Sequence, residues 1–149
     1  MPTAHFDYVF EITERTMVSE KNAAEMFDWL RAQQIAIAID DFGTGHSALI
    51  YLEKFCFDYL KIDRGFIQSI GMETVTSPVL DVVLNLARKL NLKTVAEGVE
   101  TEEQAAWLLK RGVTHMQGYL FSRPLPPDEL IAWLQKRQAH LLMAQPEND

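Results

Sequence analysis

Short apolar runs alternate along the chain with longer segments in which apolar residues recur every three or four positions. The short runs are rich in β-branched and aromatic residues, so they predict β-strands at residues 6–12, 35–39, 59–63, 93–96 and 113–120. The longer segments predict helices at residues 19–33, 48–55, 77–90, 101–112 and from 126 onwards. Strands that alternate with helices of this length form βαβ units. The pattern therefore predicts an α/β protein with a mostly parallel sheet of about five strands and flanking helices.

Two segments carry the clearest patterns. The continuous apolar run at residues 35–39 is typical of a strand that is covered on both faces of a parallel sheet. The segment 77–90 has the i, i+3, i+4, i+7 spacing of an amphipathic helix. Its apolar members are Val79, Val82, Val83, Leu86, Ala87 and Leu90.

Chemically active side chains cluster near the carboxyl end of each predicted strand. Ligands of α/β proteins bind at this edge of the sheet, so the clustering predicts a functional site. Loop ends that merely meet solvent would also be polar, but they would favour Gly, Ser and Asn over repeated carboxylates. In chain order the polar residues are Glu11, Glu14, Asp40, Asp41, Lys61, Asp63, Glu97, Glu100 and Gln117.

The carboxylates at this edge predict a site for a divalent cation. Glu11, Asp40, Asp41 and Glu97 would repel one another if packed together without a counter-charge. Mg²⁺ or Mn²⁺ would relieve the repulsion, because both ions prefer oxygen ligands. Lys61 has two compatible interpretations: it orients water or a phosphoryl oxygen beside the ions, or it forms a salt bridge with one of the acids.

Composition and charge favour an ordinary globular protein over a disordered, membrane-spanning or duplex-binding one. The chain has 149 residues, of which 48% are hydrophobic and 23% charged, as in ordinary globular domains. Its net charge of −7 disfavours binding to duplex nucleic acid. There is no apolar stretch of about 20 residues and no signal-peptide pattern. We therefore expect a soluble, cytoplasmic protein without a membrane segment.

The single cysteine, Cys56, allows no internal disulfide. Its position between Phe55 and Phe57 predicts a small core side chain.

Two short motifs are set aside. Asp41-Phe42-Gly43 spells a kinase triplet, but the other kinase motifs are absent from the sequence. Gly43-Thr44-Gly45 lacks the Gly-Lys-Ser/Thr of a phosphate-binding loop. We interpret Gly43 and Gly45 as part of a mobile loop that can redirect Asp40 and Asp41.

Five segments in order resemble the EAL-domain cyclic di-GMP phosphodiesterases of bacteria, over about residues 6–134. The segments are Glu11-Ile12-Thr13-Glu14, Asp40-Asp41-Phe42-Gly43-Thr44-Gly45, Leu60-Lys61-Ile62-Asp63, Ala96-Glu97-Gly98-Val99-Glu100 and Gln117-Gly118-Tyr119-Leu120-Phe121. The resemblance implies a TIM-like barrel that hydrolyses cyclic di-GMP to linear pGpG with Mg²⁺ or Mn²⁺.

The same resemblance implies a role for each matched residue. Glu11, Asp40, Asp41 and Glu97 correspond to metal ligands, and Lys61 corresponds to the residue that holds the catalytic water. Glu97 is also a candidate general base. Gln117 corresponds to a site residue near the substrate. Glu14 corresponds to the anchor of the loop that contains Gly43 and Gly45 and links the site to a dimer interface.

The chain departs from the family pattern in lacking the Glu-Ala-Leu triplet and the Asn ligand expected between it and Glu11. A TIM barrel typically needs about 250 residues. We therefore expect residues 6–139 to form the C-terminal part of an EAL domain, after a lead-in at residues 1–5 and before a polar tail at 140–149. Two functions remain open: a phosphodiesterase that is weakly active or inactive alone, and a non-catalytic cyclic di-GMP-binding or dimerisation module. An unrelated metal-dependent barrel enzyme is a third, weaker reading.

The partners implied are cyclic di-GMP, a second copy of the chain, and an upstream sensor or GGDEF-type domain. Self-association is expected because a partial barrel leaves sheet edges open.

Overall fold

A computed structural model of the chain describes residues 7–13, 20–42, 48–72 and 76–143. The strands in these ranges are β1 Val9–Thr13, β2 Ala36–Phe42, β3 Tyr59–Ile62, β4 Lys93–Ala96 and β5 His115–Met116. The helices are α1 Glu20–Ala32, α2 Ala48–Lys54, α3 Arg64–Gln68, α4 Thr76–Lys89, α5 Glu102–Lys110 and α6 Pro127–Met143. No helix in the described ranges has both the length and the apolar character needed to cross a bilayer.

The five strands form one sheet in which the order β1-β2-β3-β4-β5 repeats the order along the chain. All four strand pairs are parallel. Parallel neighbours need a crossover between them, which the intervening helices supply. The predicted α/β class and the parallel sheet of about five strands are therefore confirmed.

The two faces of the sheet have different chemistry, because successive strand residues point to opposite faces. Ile39, Leu60 and Ile62 are at most 1% exposed and belong to the hydrophobic core. Full burial of each such side chain contributes about 1.5–3 kcal/mol. Lys61, between Leu60 and Ile62, points to the other face, where the polar residues lie. Because the apolar residues of a strand are buried in the core, the residues between them point to the opposite face, where the site lies.

Helix α4 buries a different stripe from the one that the sequence pattern indicates. Val83 and Ala87 are buried, as their spacing suggests, but Val79, Val82 and Leu90 are exposed. The buried set is Leu80, Val83, Leu84 and Ala87. This set has the same i, i+3, i+4, i+7 spacing, so the pattern alone could not separate the two overlapping stripes.

Strand β5 is much shorter than the predicted 113–120. After Met116 the chain turns away to pair with the loop around Val99: Val99 N donates to Gln117 O and Leu120 N donates to Val99 O. Gly118 allows this contact, since a Cβ at that position would overlap the backbone of Val99. The loop contact overrides the β-propensity of Tyr119 and Leu120.

Three further differences concern local structure. Strand β2 continues to Phe42, beyond the predicted end at residue 39, and helix α3 was not predicted. The prediction for Cys56 is wrong, because its side chain is exposed. The neighbouring Phe57 side chain is buried instead.

Helix α5 confirms the helix predicted at residues 101–112, and local contacts define both of its ends. Thr101 and Gln104 form a capping box at its start. At its end, Gly112 has a φ of 78°. Gly112 N donates to Leu109 O and Val113 N donates to Leu108 O, which is the Schellman arrangement. This ending directs the chain into β5.

Candidate active site

One ammonium group lies among three carboxylates at the carboxyl end of the sheet. Lys61 Nζ is 2.8 Å from Glu11 Oε2, 3.4 Å from Asp40 Oδ1 and 2.6 Å from Glu97 Oε1. The residues come from β1, β2, β3 and the residue after β4, so four consecutive strands contribute one residue each. Lys61 is therefore an ion-pair partner of the acids, as one of its two interpretations predicted.

The backbone explains this convergence. Glu97 N donates to Ile62 O at 3.1 Å, which extends the pairing of β4 with β3 by one residue. Between β2 and β3 the register changes, because the two residues Asp40 and Asp41 lie opposite the single residue Lys61. Such a bulge redirects side chains and is common beside active sites.

The ammonium of Lys61 is charged in this environment. Burial alone would lower its pKa, but hydrogen bonds to Glu11 and Glu97 and the negative charges of Glu97 and Asp40 raise the pKa above its usual range. The Lys61 side chain is 7% exposed, whereas that of Glu11 is 50% exposed. The cluster therefore lies at the boundary between core and solvent, with negative charge in excess.

Gln117 joins this cluster from the end of β5. Its Nε2 donates to Glu97 Oε1 at 3.2 Å, the same oxygen that pairs with Lys61. Its backbone N donates to Ala96 O at 2.9 Å. The side chain of Gln117 thus lies beside Glu97 and at the rim of the polar face.

Two concavities meet at Gln117. One of about 300 Å³ lies on the polar face of the sheet and includes Glu11 and Lys61 in its lining. The other, of about 580 Å³, is lined by Arg64, Glu100, Tyr119, Arg123 and Trp133 among others. The guanidinium of Arg123 lies 4.4 Å from the centre of the Tyr119 ring.

Sequence reasoning missed the cationic and aromatic lining of the larger cavity. The available signal was position, because Arg64 directly follows one of the matched segments and Arg123 lies two residues after another. These side chains add positive charge next to an acidic cluster.

The predicted site residues fall into two groups. Glu11, Asp40, Lys61, Glu97 and Gln117 come together. Glu14, Gly43 and Gly45 lie outside the described residues, and for Asp41 only the backbone, in β2, is described.

The side chains at this edge have the chemistry of a site for the implied divalent cation. Three carboxylates that converge on one positive charge have the hard-oxygen chemistry that Mg²⁺ and Mn²⁺ prefer. In the ranges that the structure describes, however, no three His, Cys, Asp or Glu side chains already form a cation site. Lys61 lies between the carboxylates instead. Lys61 contacts one oxygen of each carboxylate, and the residues fit such an ion in type and location.

Comparison with known proteins places these features in a family. The profile of the EAL domain matches residues 2–124. The chain is 65% identical over 136 residues to the Escherichia coli (strain K12) protein named "Probable cyclic di-GMP phosphodiesterase PdeN". That match covers 91% of this chain but spans only 26% of the relative's length.

Solved structures give the same family. The EAL domain of Mycobacterium smegmatis DcpA superposes with a TM-score of 0.80 at 39% identity, over 86% of this chain and 58% of that one. Klebsiella pneumoniae BlrP1, in a manganese and cyclic di-GMP complex, superposes with a TM-score of 0.70 at 34% identity, over 78% of this chain and 30% of that one. The parallel sheet is thus part of a TIM-like barrel, and the strand-end residues lie within the matched region. The chain belongs to the EAL domain family.

Proposed function

We propose that these residues form part of the catalytic site of a cyclic di-GMP phosphodiesterase, which hydrolyses cyclic di-GMP to linear pGpG. The observation that carries the proposal is the convergence of Glu11, Asp40 and Glu97 on Lys61. Relatives support the substrate: PdeN is named as a probable cyclic di-GMP phosphodiesterase, and BlrP1 has been solved with this nucleotide and manganese.

In this proposal Glu11, Asp40, Asp41 and Glu97 would hold Mg²⁺ or Mn²⁺. When bound, such ions stabilise charge on the phosphate and promote ionisation of water. The reaction forms one P–O bond to the water oxygen and breaks the P–O3′ bond, and the water proton finally resides on the 3′ oxygen. A carboxylate oxygen of Glu97 accepts that proton first, which makes Glu97 the candidate base.

Lys61 supplies a positive charge that does not depend on metal. Its Nζ donates hydrogen bonds to the attacking water or to a phosphoryl oxygen, and so opposes the negative charge that develops on the phosphate. Removing a preorganised donor of this kind typically slows a reaction about 10²–10³-fold.

The larger cavity supplies the remaining substrate contacts. Arg64 and Arg123 bring positive charge to a chain whose net charge is −7. Tyr119 offers an aromatic ring on which a purine can stack, as aromatic side chains do in other nucleotide sites. Gln117 lines both concavities and thus connects the acidic cluster with the larger cavity.

Further partners follow from the family likeness and belong to the same proposal. Glu14, with the loop that contains Gly43 and Gly45, would couple the site to a dimer interface formed with a second copy of the chain. A sensor or GGDEF-type domain would supply the input signal.

Turnover by the purified chain tests the proposal. We expect slow conversion of cyclic di-GMP to pGpG with Mn²⁺, followed by chromatography at excess protein. Lys61→Met should slow conversion about 10²–10³-fold, because it removes the ammonium and keeps the volume. Lys136→Met, at an exposed lysine of α6, is the matched control and should leave the rate unchanged. Equal rates in the two variants would contradict the role of Lys61.

A non-catalytic module is the second candidate. One observation favours it: Lys61 already neutralises part of the carboxylate cluster. Calorimetry separates the candidates, since binding of cyclic di-GMP without any pGpG supports the module. Absence of both binding and turnover would contradict both functions.

A further inference from the structure

We propose that Gln117 is a positioning residue, which holds the carboxylate of Glu97 in one orientation. The inference rests on the proposed function for its catalytic meaning, but its structural content can be tested without turnover. It assigns to Gln117 a role that differs from a direct contact with the substrate.

The hydrogen bonds of Glu97 are unevenly divided between its two oxygens. Oε1 accepts from Gln117 Nε2 at 3.2 Å and lies 2.6 Å from Lys61 Nζ. Within the described part of the chain, Oε2 has no donor. Two donors on one oxygen oppose rotation of the carboxylate group, and they leave Oε2 as the oxygen that can meet a cation or a water molecule.

The backbone of Gln117 is itself fixed on both sides of Glu97. Gln117 N donates to Ala96 O at 2.9 Å, and Gln117 O accepts from Val99 N at 3.1 Å. Both partners lie within two residues of Glu97. Gly118 permits the close approach of this segment to Val99. The amide donor is therefore held at a set distance from the carboxylate by hydrogen bonds on either side of it.

An amide suits this position because it donates without carrying charge. Lys61 fixes Oε1 but also cancels negative charge, and a second cation there would compete with a metal ion for Glu97. Gln117 restrains the same oxygen and leaves the negative charge of Glu97 available. Partners that orient a metal ligand in this way typically change metal affinity 10–100-fold when they are lost.

A double-mutant cycle on Mn²⁺ affinity tests the inference. Free Mn²⁺ is measured by electron paramagnetic resonance for the wild-type chain, Gln117→Ala, Glu97→Ala and the double variant. When Glu97 is present, we expect Gln117→Ala to raise the Kd for Mn²⁺ about 10-fold relative to the wild-type chain. In the Glu97→Ala background the same substitution should change the Kd less than about 2-fold, because the coupled partner is gone.

Two matched variants separate positioning from simple space filling. Gln117→Met keeps the length of the side chain but removes the amide donor without adding a carboxylate, so we expect a loss similar to that in Gln117→Ala. Gln68→Ala removes an exposed glutamine amide at the end of α3 and should leave the Kd unchanged. A Gln117→Met variant that binds Mn²⁺ like the wild type would overturn the inference.

Kinetic and spectroscopic measurements complete the test. Where turnover is measurable, Gln117→Ala should lower kcat more than it raises KM. A raised KM with unchanged kcat and unchanged Mn²⁺ affinity would assign Gln117 to substrate contact and overturn the proposal.

In the metal-free chain, the side-chain amide protons of Gln117 should exchange faster with solvent in Glu97→Ala than in the wild type. Unchanged exchange in that variant would also contradict the inference. If cyclic di-GMP is not hydrolysed, the proposed function fails, while the exchange rates still decide the role of Gln117.

Discussion

At the scale of single residues, the central feature is a lysine that is outnumbered by its acidic partners. Lys61 pairs with three carboxylates. Desolvating an ammonium is unfavourable, so the pairing must offset that cost. In the chain without metal, Lys61 therefore stabilises the polar face, and a divalent cation that binds there shares the carboxylates with it.

The stability of a Lys61→Met variant should consequently depend on pH in a defined way. The pKa of Lys61 is raised above its ordinary value of 10.5. The ion pairs of Lys61 therefore contribute fully to the free energy of unfolding below pH 10.5, and this contribution is lost as the pH rises through the higher folded-state pKa. We expect Lys61→Met to lower the free energy of unfolding by about 2 kcal/mol. This loss is smaller than for fully buried ion pairs, because Glu11 is half exposed.

Urea unfolding at several pH values measures this difference. It should stay constant between pH 6 and pH 9 and shrink only above about pH 10.5. Lys136→Met serves as the control for general effects of losing a surface charge. If the difference in unfolding free energy between the wild type and Lys61→Met vanished near pH 8, the ion pairs would not be stabilising the charged ammonium of Lys61.

The sequence allowed much of this cluster to be predicted, for a topological reason. Carboxyl ends of parallel strands meet at one edge, so residues that end different strands must converge there. This rule located the residues Glu11, Asp40, Lys61, Glu97 and Gln117. The rule is silent about loops, which is why Arg64 and Arg123 escaped notice. Their cavity depends on how segments after β3 and β5 pack.

At the scale of secondary-structure elements, local patterns predicted which helices and strands are present more accurately than which faces are buried or where the elements end. Helix α5 has side chains and a glycine that define both ends within the element itself, so its limits were predictable. The end of β5 is set by the distant Val99, and the buried face of α4 is set by the sheet. Neither partner is visible in a local pattern.

Gly118 provides a test at this scale. Gly118→Ala would place a Cβ against the backbone of Val99, which no side-chain rearrangement can relieve. We expect the free energy of unfolding to fall by about 1–3 kcal/mol, as for overpacked positions. Chemical denaturation measures the loss.

Gly112→Ala is the matched control, because it shares a positive φ but has open space at the Cβ position. It should cost about 1 kcal/mol or less through backbone strain alone. Equal losses in the two variants would mean that the contact with Val99 contributes nothing.

At the scale of the whole molecule, the sheet has two edges in the described ranges, since β1 pairs only with β2 and β5 only with β4. Tyr8, Val9 and Phe10 at the β1 edge are exposed. Unpaired edges with apolar residues favour association with another chain. The edges therefore support the proposed association with a second copy.

Light scattering over a range of protein concentrations tests this expectation. The mean mass should increase with concentration for the wild type. Tyr8→Lys should reduce that increase, because lysine at a sheet edge opposes pairing. Trp29→Lys alters a similarly exposed aromatic residue on α1 and should have no such effect. A wild type that stays monomeric throughout would contradict the expectation.

The coincidence of strand order with chain order also bears on how the fold is reached during synthesis. Each new strand pairs with the one made immediately before it, across a helical connection, so no strand has to insert between two others. The growing sheet can therefore extend stepwise from β1 as the ribosome releases the chain, in keeping with folding from the N-terminus. Because Lys61 on β3 emerges after Glu11 and Asp40 but before Glu97, its ammonium is available to the first two acids before the third arrives.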